Sequence, residues 1–131
     1  MKFRYTLLYV QDVAASLTFY GAAFGLKTRF LAEGGQYGEL DVDGPVSLGF
    51  IGNAQAASNL PDGFQANNPK GRPGGFEIGF VTDDVQAAFA RAVKAGARPA
   101  AAPSTKPWGQ VVAYVRDPDG ILVELCSPMQ H

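Results

Sequence analysis

Tyr5-Thr-Leu-Leu-Tyr-Val-Gln-Asp-Val13 returns seventy-two positions later as Glu77-Ile-Gly-Phe-Val-Thr-Asp-Asp-Val85. Each stretch opens on a short run of aliphatic, aromatic and β-branched residues, the composition of a strand. Each then reaches an aspartate, Asp12 or Asp84, whose carboxylate suits the N-cap of a helix. Behind Asp12, the residues Val13, Leu17, Tyr20 and Phe24 recur at helical spacing. Behind Asp84, Val85, Ala88, Phe89, Ala92 and Val93 do the same. The stripes end at Gly25 and Gly96, where a residue without Cβ closes a helix cheaply.

The repeat extends outward from these stretches. Residues 27–31, 37–42 and 46–51 are strand-like, punctuated by Gly34-Gly35 and Asp43-Gly44 as turns, so the first half reads β-α-β-β-β. The second half reads as a strand over 76–81, the helix, a short strand over 98–101 followed by a Pro-rich loop, and strands over 110–115 and 121–126. That last pair closes around Asp117-Pro-Asp-Gly120. Between the halves, 53–74 is dominated by Asn, Gly, Ala, Ser and Pro61, Pro69 and Pro73, and reads as a connecting loop. Two copies of a βαβββ unit of this size are expected to bury their sheet faces against each other. The competing arrangement is a ferredoxin-like α+β sandwich with a different strand count.

Composition limits the function classes. With 131 residues the chain suits one domain, here about 1–52 as one module and 75–131 as the other. Eleven basic and twelve acidic residues give a net charge of −1, without the clustered basic face of a nucleic-acid binder. No apolar run has the length of a membrane span, and Lys2-Phe-Arg-Tyr5 offers no signal-peptide pattern. A soluble, cytoplasmic protein is expected. The single cysteine, Cys126, excludes an internal disulfide and reads as a small hydrophobe in the last strand. The only histidine is His131, so a Cys–His pair has little support.

These motifs resemble the vicinal oxygen chelate superfamily, which includes glyoxalase I, bleomycin-resistance proteins and extradiol dioxygenases. The resemblance rests on Leu7-Leu-Tyr-Val-Gln-Asp-Val13 with Ser16, Phe19-Tyr20 and Phe24-Gly-Leu26. It continues in Phe80-Val-Thr-Asp-Asp-Val85, Trp108-Gly-Gln110, Tyr114-Val-Arg-Asp-Pro-Asp-Gly120 and Val123-Glu124. It implies an α+β fold in which the two modules form a cupped mixed β-sheet with helices on the outer face, commonly as a homodimer. In metal-dependent members it implies four inward-facing ligands, two per module, on first and last strands. Those positions fall on Tyr5 and Gly49 (Leu48 if no residue is inserted at Pro45), and on Glu77 and Glu124. A usual set is His or Gln, Glu, His and Glu. Only Glu124 keeps the expected type, with Glu77 a plausible substitute.

The chemistry of the candidate residues is uneven. Two carboxylates and a phenol could hold a hard cation weakly through oxygen, but neither Gly49 nor Leu48 has a donor and no interior histidine exists for a softer metal. Cofactors are therefore expected to be none, or at most a weakly bound divalent metal. Glu124 shares its strand face with Leu122 and Cys126, away from the more apolar Ile121, Val123 and Leu125, so it is either a solvated strand residue or a binding group. Glu77, with Gly79 and Val81, takes the same side, and Gly79 leaves room for a ligand. If Glu77 and Glu124 line one cavity without a metal, one pKa should rise, suiting a cationic ligand or acid–base chemistry.

Trp108 offers a flat apolar face and one N–H donor, while Gln110, Val112 and Tyr114 alternate onto one face. Trp108 could equally be a core or interface anchor. Tyr5, Tyr9 and Tyr37 are further ligand-binding candidates, whereas Phe19, Tyr20 and Phe24 read as core. Phe64 could lie over the cup as a lid, or merely connect. Two functions remain open. One is a non-catalytic protein of the antibiotic-resistance type that sequesters an aromatic or cationic molecule. The other is a lyase, isomerase or dioxygenase in which Glu124 and Glu77 hold a divalent cation.

Overall fold

A computed structural model describes residues 1–129; Gln130 and His131 lie outside the described residues. The chain forms two compact units, Met1–Asn67 and Asn68–His131. Each has an α+β architecture with the same strand order, and the two βαβββ modules expected from the repeat are both present.

In the first unit, β1 (Tyr5–Val10) leads through α1 (Val13–Phe24) to β2 (Thr28–Leu31), β3 (Tyr37–Leu40) and β4 (Ser47–Gly52). The sheet order is β1-β4-β3-β2, with β1 parallel to β4 and the other pairs antiparallel. Asp12 caps α1 as expected, its carboxylate accepting from the Ala15 N–H at 3.0 Å. Leu8, Val10, Leu40 and Phe50 are buried on the face that carries α1, and Tyr20 stacks edge-on against Phe50 at 5.0 Å. The helix lies very close at Gly38, where a Cβ would stand 2.8 Å from Leu17 Cδ1. Alternation therefore turns Leu7, Tyr9, Tyr37, Glu39, Ser47 and Gly49 toward the opposite, open face.

The second unit repeats the plan with β5 (Ile78–Val81), α3 (Val85–Lys94), β6 (Arg98–Thr105), β7 (Val111–Arg116) and β8 (Leu122–Cys126) in the order β5-β8-β7-β6. Asp84 caps α3 through the Ala87 N–H at 3.0 Å. Ala113, Val115, Val123 and Leu125 are buried on one face, leaving Tyr114, Leu122 and Glu124 half-buried on the other. The turn Asp117–Gly120 is anchored by the Asp117 carboxylate, which accepts from the N–H groups of Asp119 and Ile121, both at 2.9 Å. Arg116 is buried beside it and donates to three carbonyls, of Gly120 at 2.9 Å, Gly71 at 2.8 Å and Asn68 at 3.2 Å. This pins the segment that leads into β5.

Three expectations need correction. The 53–74 stretch is not loop throughout, because α2 (Asn53–Asn59) opens it. Ala54, Gln55, Ala56 and Ala57 are good helix formers, the first proline comes only at 61, and Ala56 is fully buried. Strand β6 runs on to Thr105 instead of stopping near 101. It is an edge strand with irregular register after Pro99 and Ala101, and prolines are tolerated where no partner strand needs their missing N–H. Finally, β5 begins at Ile78 instead of at 76, leaving Phe76 exposed ahead of it.

Candidate functional site

The strand registers align the two units position by position. In the first, Gly49 on β4 pairs with Leu7 on β1 and Glu39 on β3. In the second, Glu124 on β8 pairs with Gly79 on β5 and Tyr114 on β7. Gly49 and Glu124 are thus equivalent, and Tyr5 and Glu77 each stand two residues before the paired position on the first strand. The same backbone frame carries opposite chemistry.

In the second unit the open face is acidic. Tyr114 donates its hydroxyl to Glu124 Oε1 at 3.0 Å. Glu124 reaches over Gly79, its Oε2 lying 3.5 Å from where a Cβ on that glycine would be. Gly79 therefore leaves room over the sheet for the carboxylate. Burial of its carboxyl group, then the charge of Glu124, push Glu77 above the usual carboxylate range. Burial and the hydrogen bond to Glu124 push the Tyr114 phenol up to about 12. Cys126 is buried in β8, and burial followed by contact with Glu124 raises its thiol as well, the opposite of what a nucleophile needs. A shallow cavity of about 280 Å³ lies here, lined by Glu77, Ala100, Ala101, Tyr114 and Leu122.

The crowding of Glu77 has a stability consequence. Its folded pKa is raised, so its contribution is fully present at acid pH and is lost as pH rises through the folded value. Glu77→Gln is therefore expected to leave stability at low pH unchanged and to raise the melting temperature modestly near neutrality. Thermal unfolding across the pH range checks this, and a variant less stable at neutral pH would contradict it.

In the first unit the equivalent place is filled by an internal ion pair. Glu39 is buried, accepts from the Tyr37 hydroxyl at 2.5 Å, and pairs with Arg29 at 3.3 Å. Arg29 also donates to Ser47 Oγ at 3.4 Å and to the Val42 carbonyl at 3.0 Å, and lies 3.6 Å from Asp41. Burial alone would raise Glu39, but hydrogen bonds from Tyr37, Ser47 and Arg29 outweigh it and hold the carboxyl below its ordinary value. Tyr37 is driven well above the usual phenol range by burial and by Glu39. A Cβ on Gly49 would stand 2.8 Å from the Gly38 carbonyl and 3.3 Å from Glu39 Cγ. The adjacent strand closes that position to any side chain.

The other expected residues separate. Tyr5 is 54% exposed, with the Arg4 guanidinium 5.5 Å from its ring centre. Tyr9 is covered by Phe64, edge-on at 5.0 Å, while Asn67 donates to the Tyr9 carbonyl at 2.9 Å. Phe64 thus lies against the open face of its own unit. Trp108 and Gln110 do not join Tyr114. They precede β7, and Tyr114 lies roughly 13 Å further along the strand than Gln110. Glu39, Arg29 and Ser47 escaped the sequence reading. The available signal was strand parity: Glu39 shares a face with Tyr37, opposite a glycine.

The four positions at which the family resemblance implies metal ligands hold a phenol, a glycine and two carboxylates. Among the described residues no three His, Cys, Asp or Glu side chains are grouped to hold a metal ion. With Gly49 closed by backbone and its neighbour Glu39 bound to Arg29, the donor set does not fit a resident cation of the four-ligand type.

Comparison with known proteins agrees with the fold. The profile described as Glyoxalase/Bleomycin resistance protein/Dioxygenase superfamily matches residues 2–125. A glyoxalase-related enzyme from Fulvimarina pelagi superposes with a TM-score of 0.82 at 21% identity, covering 98% of this chain and 88% of that one. A glyoxalase/bleomycin resistance protein/dioxygenase family enzyme from Burkholderia phytofirmans PsJN gives 0.75 at 22% identity, over 94% and 95%. A superfamily member from Sphaerobacter thermophilus gives 0.71 at 21% identity, over 98% of each chain. Likeness at such identity is one of fold. No curated protein matches the chain. No helix among the described residues is long and apolar enough to cross a membrane. From its sequence profile and its paired βαβββ modules, the chain belongs to the glyoxalase/bleomycin resistance/dioxygenase superfamily.

Proposed function

We propose that this protein binds a small organic cation, or a ligand rich in N–H and O–H donors, on the open face of its second sheet, and that it does so without a resident metal. The observation that carries the reading is the Glu77–Glu124 pair, with Glu124 reaching over Gly79 and accepting from the Tyr114 hydroxyl. Two carboxylates held close together favour a positive guest, because their like charges repel and a cation relieves the repulsion. The cavity of about 280 Å³ lies just below the usual range for a drug-sized ligand, so a single ring with an ammonium or amidinium group fits it better than a large antibiotic. The function is sequestration or delivery, with the protein acting as a homodimer on a small molecule.

A competing metal-dependent lyase, isomerase or dioxygenase would use the same two carboxylates. The donor set argues against it: a glycine and a tyrosine stand at the other two ligand positions. Benzylammonium, with benzyl alcohol as the neutral control, separates the readings when titrated into chelator-treated protein and followed by amide chemical shifts. Saturable shifts on β5, β7 and β8 are expected for the cation alone, weakened about tenfold or more in Glu124→Gln. Binding that disappears on chelation, or equal binding of the alcohol, would remove the proposal.

A further inference from the structure

We infer that the second unit carries a second ligand site, independent of the carboxylate face, which takes a flat organic cation lacking N–H donors. A cavity of about 430 Å³ lies where the β6–β7 turn, the segment after β5 and the segment after β8 come together, lined by Asp83, Trp108, Gly109, Gln110, Ser127, Pro128 and Met129. Its volume is within the range of small-molecule pockets. The site does not rest on the reading of Glu77 and Glu124, none of whose atoms it uses.

Trp108 is held there by its neighbours although it is 63% exposed. The Gly109 N–H bonds the Lys106 carbonyl at 2.8 Å, closing a turn with Pro107 and Trp108 at its centre. The indole Nε1 donates to Gln110 Oε1 at 2.9 Å, and Gln110 Nε2 donates to the Ser127 carbonyl at 2.9 Å. Ser127 is itself fixed, since its Oγ accepts from the Val111 N–H at 2.9 Å and its own N–H bonds the Val111 carbonyl at 2.9 Å. The indole's only donor is therefore spent internally. What it offers a guest is its π face, which attracts cations.

The other walls complete that preference. Asp83 brings a carboxylate with no hydrogen-bond or ion-pair partner among the described residues. Met129 adds an exposed thioether chain, a soft and adaptable partner for an aromatic ring. A wide apolar face, a free negative charge and a preorganised brace favour a delocalised cation. A localised ammonium could use the Asp83 carboxylate, but its remaining N–H donors would be less well served, because Gln110 Oε1 and the Ser127 carbonyl already accept from Trp108 and Gln110. The two sites of this unit thus divide by chemistry.

Trp108 is the only tryptophan, so intrinsic fluorescence reads this cavity directly. The probe is N-methylquinolinium, with quinoline, neutral at about pH 7.5, as its uncharged counterpart. Saturable quenching by the cation is expected, with a dissociation constant raised about threefold to fivefold in Asp83→Asn, the scale of an exposed charge pair, and unchanged in Glu124→Gln. Asp83→Ser at the same exposed position provides a second variant should Asp83→Asn fold poorly. Linear, unsaturable quenching would overturn the inference. So would indifference to both Asp83 variants, equal binding of quinoline, or loss of binding in Glu124→Gln, which would move the probe to the sheet face.

Discussion

Gly120→Ala is expected to destabilise the protein by about 3–5 kcal/mol, because strain and overlap combine at one methyl group. Gly120 has φ +87°, a region that costs any residue with a Cβ. The added carbon would also stand 2.7 Å from Pro69 Cα and 2.9 Å from the Asn68 carbonyl, both backbone atoms, and 2.6 Å from Arg116 Nη2. Arg116 could swing aside only by releasing the carbonyls of Asn68 and Gly71, which it holds at 3.2 and 2.8 Å. The buried guanidinium would then lose partners, or the segment before β5 would have to move. Urea unfolding measures the loss, and a variant within 1 kcal/mol of wild type (about a fivefold change in the folding constant) would show that this turn is not a docking point. The Asp-Pro-Asp-Gly motif is thereby explained as architecture: Asp117 folds the turn and Gly120 lets the incoming chain lie against it.

Glu39→Ala is expected to cost about 1–3 kcal/mol at neutral pH, since it strands a half-buried hydroxyl and a guanidinium at once. The upper figure for a broken buried pair does not apply, because the Arg29 side chain is 31% exposed and keeps Asp41 and the Val42 carbonyl. The pH dependence has a definite sign. Glu39 has a lowered folded pKa, so its contribution is present above the unfolded glutamate value and is lost as pH falls through the folded value. The stability gap between wild type and Glu39→Gln should therefore narrow in acid. Denaturation curves at about pH 7 and about pH 3 test this, and a gap that widens in acid would contradict the assignment of Glu39 as an ionised, paired group.

The fold was legible in the sequence because its punctuation is local. Asp12, Asp84, Gly25 and the Asp-Gly turns mark boundaries through their own backbone chemistry, and two matching sets of them fix a repeat. The helix over Asn53–Asn59 lies in a segment too short and too poor in large apolar residues to show a stripe, and only burial of Ala56 reveals its packing. Strand β6 runs past the expected 98–101 because it lies at an edge that tolerates prolines, and nothing local in the sequence announces that edge.

The site was legible by halves. Register alone carried Glu77, Glu124 and Gly79 to one face. The Glu39–Arg29–Tyr37–Ser47 cluster draws on β2, β3 and β4, so no spacing in one segment announces it. Trp108 and Tyr114 have the same parity, which suggested one cavity, but parity fixes the face and not the position along the strand. The two hydrogen bonds through Gln110 hold Trp108 at the strand's beginning instead. Asp83 stands next to the cap Asp84 in sequence, and its place beside Ser127, Pro128 and Met129 depends on the segment after β8, which no local pattern announces.

The most direct measurement is a carboxyl carbon NMR titration of Glu77 and Glu124 in metal-stripped protein, with and without benzylammonium. Glu77 is expected to titrate above the ordinary glutamate range in the free protein, and to fall toward or below it when the cation is bound, while both resonances stay unmoved by sub-stoichiometric manganese or zinc. A Glu77 that titrates normally and ignores the cation, or two carboxyls that respond to one equivalent of metal instead, would contradict a metal-free cation site on this sheet.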